Sequence, residues 1–299
     1  PRLMSGRREL EGRHKAGHSF PIDLSASEIQ VGGRRLFVGI IRDITERRMI
    51  ERLKSEFVAT VSHELRTPLT SIAGSLSLLA AGLGGELPPK AQRLITIAHK
   101  NSERLTLLIN DILDLEKAES GKLDLNLQLH SLAAVVTQSL EANRSYAQQF
   151  QVRFVLSLMS SDPIVLIDEA RIQQVLANFL SNAAKFSPRG GQVLIKLELL
   201  SEARDAMVRV SVHDDGPGVP EAFRARIFTR FAQADASDSR QKGGTGLGLA
   251  IVKSLIEQHH GRVGFDSGHS AVGKGQGASF WFELLLVQVP ASQSVAQHV

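Results

Sequence analysis

From Ile50 onward, apolar side chains stand at positions 50, 53, 57, 61, 65, 69, 72, 76 and 79, always three or four residues apart. That spacing defines one stripe of a long α-helix, and neither Gly nor Pro interrupts the chain between Asp43 and Pro68. The helix should end in the Gly82 to Gly85 region. Pro88-Pro89 then opens a second helix whose stripe, Leu94, Ala98, Asn101, Leu105, Leu108, Ile112 and Leu115, alternates separations of four and three until Gly121 stops it. Two antiparallel helices with such seams bury both stripes best by pairing with a second copy. A homodimeric four-helix bundle is the expected product.

Different periods flank this helical pair. Between residues 17 and 44, Phe20, Ile22, Leu24 and Ala26 alternate with polar or small residues, Gly32-Gly33 marks a turn, and Leu36 to Ile41 is a compact apolar run. These are strands of a β-hairpin, too small to be stable alone. Beyond Gly121, Leu123, Leu125, Leu127 and Leu129 have period two, and 132–150 reads as helix. Strands are expected at 152–158, 164–167, 193–199, 208–212 and 278–287, with helices at 169–186 and 246–258. Helices and strands in this irregular order indicate an α+β sandwich with a mixed sheet, so the fold class is multidomain. The segment after Pro290 is small and polar and reads as a disordered tail.

Composition excludes several classes of function. There is no cysteine among the 299 residues, which rules out disulfide frameworks, thiolate catalysis and Cys-ligated metals and suits a reducing, cytoplasmic compartment. The net charge of +4 is local: residues 1–54 carry 12 basic and 7 acidic side chains, leaving 23 against 24 elsewhere. With one Trp and one Tyr, no basic segment is interleaved with stacking aromatics, so a nucleic-acid partner is not expected. No apolar run approaches the ~18 to 20 residues of a membrane helix, so no membrane contact is expected within this chain. Pro1 stands first rather than Met, as in a fragment of a longer protein that could carry its own anchor.

Four stretches could carry chemistry. In Ser62-His63-Glu64-Leu65-Arg66-Thr67-Pro68, His63 points away from the apolar stripe, so its imidazole faces solvent with Glu64 beside it as acceptor or general base. Thr67 stands where a helical zinc protease would need its second His, so that pattern fails. In the block from Asn178 to Ser187, Asn178, Asn182 and Lys185 share one helical face; amide oxygens suit Mg²⁺, and the ammonium suits phosphate. Asp214-Asp215-Gly216-Pro217-Gly218 follows a strand, placing a carboxylate where it can accept from an exocyclic amine while the glycines let a ligand approach the backbone. Lys242-Gly243-Gly244-Thr245-Gly246-Leu247-Gly248 opens a helix, whose N-terminal amides favour phosphate. Its glycine spacing matches neither a dinucleotide fingerprint nor a P-loop.

Together with Phe228-x-x-Phe231, these stretches resemble, in order and spacing, the H, N, G1, F and G2 boxes of a sensor histidine kinase over residues 50 to 290. The resemblance implies a dimerisation and histidine-phosphotransfer hairpin at 46–120 and a Bergerat-type ATP-binding domain at 121–290, with 291–299 as tail. It implies that His63 is the phosphoacceptor in a two-component phosphorelay, that Glu64 is its base, and that Thr67 matches the position used when such kinases dephosphorylate their partner. Asn178 and Asn182 would flank Mg²⁺ and the phosphates of ATP, Lys185 would contact phosphate, and Asp214 would bind the adenine amino group. Gly216, Gly218, Phe231, Lys242, Gly244, Gly246, Leu247 and Gly248 complete the implied nucleotide-binding set, and 232–243 resembles the ATP lid. The implied partner is the receiver domain of a response regulator. Residues 1–45, through Arg42-Asp43-Ile44-Thr45, resemble the C-terminal part of a PAS sensor domain. Two competitors stand beside the kinase: a dimeric scaffold that binds nucleotide without catalysis, and an ATPase of the gyrase and heat-shock chaperone superfamily, which leaves His63-Glu64 unexplained.

Overall fold

A computed structural model describes residues 7–31, 33–85, 87–119, 123–159, 162–200, 206–233, 245–268 and 277–287. The chain divides into two compact units, Pro1–Pro68 and Leu69–Val299.

The first unit holds an antiparallel sheet of three strands in sequence order, β1 (Arg7–Arg13), β2 (Ser19–Val31) and β3 (Arg34–Asp43). Sequence periodicity shows β2 and β3 but not β1, whose only large apolar residue is Leu10. Pairing supplies what composition lacks: Ile22 lies opposite Leu10 on one side and Asp43 on the other. Ile44 is buried, and its N–H donates to the Pro21 carbonyl at 3.1 Å. Asp43 accepts from the Thr45 amide at 2.8 Å and the Thr45 hydroxyl at 2.6 Å, satisfying donors that the start of α1 (Thr45–Ala80) would leave orphaned. Pro68 lies inside α1 without ending it.

That helix closes in a Schellman turn. The Leu83 N–H reaches the Leu78 carbonyl, the Gly82 N–H reaches Leu79, and Gly82 adopts the positive φ of 84° that the motif needs. Helix α2 (Pro89–Glu119) follows, with Pro at its first position. Most of the two stripes is uncovered, including Leu53, Phe57, Leu65, Ile72, Leu94 and Leu105. The end of α2 behaves differently. Leu115 is buried, and Leu108 and Ile112 pack against the core of the α+β module.

That module has a five-stranded mixed sheet in the order β5-β7-β8-β10-β9: β5 (Arg153–Ser157), β7 (Gln192–Leu200), β8 (Met207–Asp214), β10 (Ala278–Leu285) and β9 (Arg262–Ser267). Only β5 and β7 pair in parallel. A second, two-stranded sheet joins β4 (Gln128–Ser131) to β6 (Ile164–Ile167). The period-two leucines at 123–127 precede β4 without forming a strand, and the expected helix at 132–150 breaks at Asn143 into α3 (Leu132–Ala142) and α4 (Arg144–Phe150). Strand β9 and the single turn α6 (Glu221–Arg224) are additions to the expected elements.

Helices α5 (Glu169–Phe186) and α7 (Gly248–Gln258) cover the sheet. Val193, Ile195, Val208, Val210 and Phe282 face them and are fully buried, as are Ile172, Val175, Phe179, Val252 and Leu255. Phe179 packs on Phe280 and Phe282 with ring centroids 5.8 and 6.3 Å apart. Deleting a ring in such a core costs about 3–5 kcal/mol. The packing therefore holds α5, which carries Asn178, firmly against β10. Among the described residues no helix is long and apolar enough to cross a membrane.

Candidate active site

In the first unit, His63 stands on the solvent side of α1 with its side chain 74% exposed, as the stripe requires. Its Nδ1 lies 3.5 Å from Glu64 Oε1. A carboxylate there favours the tautomer with the proton on Nδ1 and leaves the Nε2 lone pair directed outward. Thr67, one turn on, is also exposed, and its hydroxyl reaches back to the His63 carbonyl at 3.5 Å.

The second unit gathers the other stretches at one end of its sheet. Strand β8 delivers Asp214 at its last position, opposite Val193 on β7 and Ala278 on β10. Only 5% of Asp214 is exposed. Burial pushes its carboxyl up to about 6, against the pull of backbone hydrogen bonds from Gly216 and Ala278 and with a smaller push from Asp215. Its Oδ1 accepts the Gly216 N–H at 2.9 Å. A Cβ on Gly216 would sit 2.7 Å from that oxygen and 2.8 Å from the Phe186 carbonyl, so only glycine fits. Gly218 turns the chain at φ 74°, and the next amide, Val219, donates to Ser267 at 2.7 Å.

Helix α5 starts at Asp168, whose carboxylate accepts the Arg171 N–H. Its apolar side is buried, which turns Asn178, Asn182 and Lys185 together onto the opposite, half-buried side. Asn178 donates to the Gln174 carbonyl at 3.1 Å, which directs its amide oxygen toward Gly248. Burial, with the nearby Arg104, lowers the Lys185 ammonium below its usual range. An anionic ligand would restore it.

At the start of α7, Gly246 has φ 72° and lies so close to the Phe231 backbone that a Cβ would be 2.8 Å from it. Phe231 itself has φ 56° and an exposed ring. Leu247 is fully buried and points into the core rather than the site; it fixes the first turn of α7 beneath the glycines. Lys242, Gly244 and most of the lid-like stretch 232–243 lie outside the described residues, as does the tail after Pro290. Two contacts have no signal in sequence spacing: the seat of Asn178 against Gly248, and a hydrogen bond from Thr245 to Asp111 on α2.

The residues present fit a nucleotide with its metal. A buried carboxylate ends a strand, a Cβ on Gly216, Gly246 or Gly248 would collide with its neighbours, an amide oxygen stands at a helix N-terminus, and a partly desolvated ammonium shares that amide's face of α5.

Comparison with known proteins points the same way. The family model of the His Kinase A (phospho-acceptor) domain matches residues 53–121, and that of the histidine kinase-, DNA gyrase B-, and HSP90-like ATPase matches 167–288. The circadian input-output histidine kinase CikA of Synechococcus elongatus is 40% identical over 230 residues, covering 76% of this chain and 30% of CikA. Sensor histidine kinase WalK of Bacillus subtilis is 36% identical over 230 residues, covering 77% of this chain and 37% of WalK. The chain thus spans about a third of the length of these relatives. Among solved structures, full-length ShkA in complex with AMPPNP superposes with a TM-score of 0.64 at 34% identity, covering 79% of this chain and 47% of that one. With a phospho-acceptor region bearing His63-Glu64 and an ATPase region bearing the Asp214 and glycine constellation, the chain belongs to the sensor histidine kinases.

Proposed function

We propose that this chain is the ATP-dependent, cytoplasmic kinase portion of a two-component sensor. It phosphorylates His63 and passes the phosphoryl group to a response-regulator aspartate. The observation that carries the reading is Asp214: a buried carboxylate at a strand end, with Gly216 packed against it, in the same unit as Gly246 and Gly248 at the start of α7. Asp214 would accept a hydrogen bond from the adenine amino group. Lys185 and the amides at the start of α7 would hold phosphate oxygens, and Asn178 and Asn182 would hold Mg²⁺. When bound, that ion neutralises charge on the transferring group. In the transfer, the Nε2 lone pair of His63 forms a bond to the γ-phosphorus, the bridging bond to the β-phosphate breaks, and ADP leaves with that electron pair. Glu64 orients the Nδ1 proton before transfer and takes it as the Nε2–phosphorus bond forms, so the phosphohistidine is left neutral on its ring.

Thr67 would help position water when the same protein dephosphorylates its partner. The exposed stripes of α1 and α2 would be covered in a homodimer, and the β1–β3 sheet would be the C-terminal part of a PAS sensor. On this reading the phosphotransfer region runs over 46–120 and the ATP-binding domain over 121–290. The test is incubation with γ-labelled ATP and Mg²⁺. Acid-labile, alkali-stable label that disappears in His63→Gln is expected; equal labelling of that variant would sink the proposal. Steady phosphate release without stoichiometric label would favour a simple ATPase.

A further inference from the structure

Helix α2 has its own hold on the nucleotide site. Asp114 accepts from Arg171 at 3.0 Å and from Gln174 at 2.9 Å, both on α5, and the Gln174 carbonyl receives the Asn178 amide. Glu116 pairs with Arg230 at 3.1 Å, one residue before Phe231. Asp111, one turn before Asp114, accepts a hydrogen bond from the Thr245 side chain. Three carboxylates on one short stretch of α2 thus reach the asparagine helix, the Phe231 turn and the glycine turn of a single site.

The Thr245 contact has the most direct geometric consequence. A hydroxyl has one proton to give and lone pairs to accept with. The Thr245 hydroxyl also accepts the Leu247 N–H at 3.1 Å, which closes the turn containing Gly246 at the mouth of α7. Committing its proton to Asp111 stops the hydroxyl rotating and aims a lone pair at Leu247. Packing alone does not call for a carboxylate here: Leu108, Ile112 and Leu115 already seat this part of α2 on the core. Asp111 is half-buried with Asp114 nearby, and burial, then Asp114, push it up to about 6 against the Thr245 hydrogen bond. A carboxylate kept at that cost, and bonded to the turn that presents phosphate-binding amides, has a use beyond packing.

We infer that Asp111 is a positioning residue for nucleotide binding: through Thr245 it holds the Gly246 turn, so that α2, a helix of the phosphotransfer region, sets the geometry of the phosphate site. This rests on the ATP reading of that site. Nothing in the step requires the charge itself, only an acceptor at Asp111.

Equilibrium binding of AMPPNP with Mg²⁺ to the whole chain and four variants tests it. Asp111→Ala and Thr245→Val should each weaken binding about tenfold, the loss of one hydrogen bond to a charged group. The double variant should bind no more weakly than either single one, because both remove the same link. Asp111→Asn keeps an acceptor oxygen and should stay within about threefold of the unsubstituted chain. Multiplying effects in the double variant, unchanged binding in the singles, or Asp111→Asn behaving as Asp111→Ala would each overturn the inference. Melting curves accompany each titration. Where Asp111→Ala lowers the midpoint, Thr245→Val and Asp111→Asn still decide, since neither removes the apolar seat of α2. An unsubstituted chain that failed to bind AMPPNP would overturn the ATP reading and this inference together, whereas binding with multiplying effects overturns this inference alone.

Discussion

The amide oxygen of Asn178 occupies the space that a side chain on Gly248 would need: a Cβ there would lie 2.6 Å from Oδ1 and 3.3 Å from Cγ. Asn178 cannot simply retreat, because its Nδ2 is bonded to the Gln174 carbonyl and its helix is pinned to β10 through Phe179. Gly248→Ala should therefore rotate the Asn178 amide out of place and weaken nucleotide binding by at least about tenfold, the loss of one charge-assisted contact. Alanine is a better helix former than glycine, so the melting midpoint should hold or rise. Titration with AMPPNP and a melting curve on the same sample check both; undiminished affinity would show that the Asn178 seat is not used.

Asp214 predicts a conflict between stability and binding. Its carboxyl is raised from 3.8 to about 6, so the folded chain favours the protonated form. The stability linked to it is fully present below pH 3.8 and is lost as pH rises through about 6. Asp214→Asn should raise the melting midpoint at pH 7–8 by about 2–4 °C per kcal/mol recovered, and leave it unchanged near pH 4. The same substitution should abolish adenine recognition, and ATP affinity of the unsubstituted chain should fall as pH drops below about 6. Melting curves and nucleotide titrations at pH 4, 5.5 and 7.5 separate the two effects. A melting difference that grew toward acid would have the wrong sign.

The reach of sequence reasoning follows from which residues have local partners. Helix α5 is legible to its ends because the Asp168 cap, the 3.6-residue stripe and the Ser187-Pro188 stop are all within its own stretch. Strand β1 is not, since Leu10 alone among its residues is apolar and its stability comes from pairing with β2. The stripe of α2 is correctly helical along its whole length, but periodicity cannot say what covers it; Leu94 and Leu105 are exposed while Leu115 sits in the α+β core. At the site, residue type and spacing identify Asp214 and the glycines, whereas Asp111 and Thr245, 134 positions apart, meet only through tertiary packing.

His259 gives a stability change of opposite sign to Asp214. The ring is buried, its Nδ1 donates to the Leu255 carbonyl at 2.7 Å, and its Nε2 accepts the Asp168 N–H at 3.1 Å. The Nε2 bond requires the neutral ring, since a second proton there would leave no lone pair to accept, and burial lowers the ring's affinity for that proton below the ordinary 6.5, against the Leu255 and Asp168 contributions. The linked stability is present above pH 6.5 and is lost as pH falls through the lowered value. Because Asp168 caps α5, acid should loosen the helix that carries Asn178. His259→Gln, which cannot acquire that charge, should flatten the decline in melting midpoint between pH 6.5 and 5 while costing about 1–3 kcal/mol at pH 7.5 for its imperfect replacement of a buried pair. An unchanged acid slope would remove His259 as its source.

Glu64 should affect chemistry without affecting affinity. It lies on α1, in the unit Pro1–Pro68, whereas Asp214, Asn178 and the glycines all belong to the unit Leu69–Val299. Its carboxylate faces His63 Nδ1 at 3.5 Å, so its contribution is to fix the proton on that nitrogen before transfer, leaving the lone pair on the other, and to take the proton as the bond to phosphorus forms. Removing the charge with Glu64→Gln should slow His63 labelling by about 10²–10⁴-fold, the usual worth of a general base, while AMPPNP affinity stays as in the unsubstituted chain. Glu64→Asp shortens the arm but keeps the base, and should recover part of the rate. If Glu64→Gln instead weakened nucleotide binding and left labelling at saturating ATP untouched, the carboxylate would be acting on the ligand site and not on the imidazole. The pH dependence of the residual rate distinguishes these cases further, since a reaction that has lost its base should speed up as hydroxide takes over.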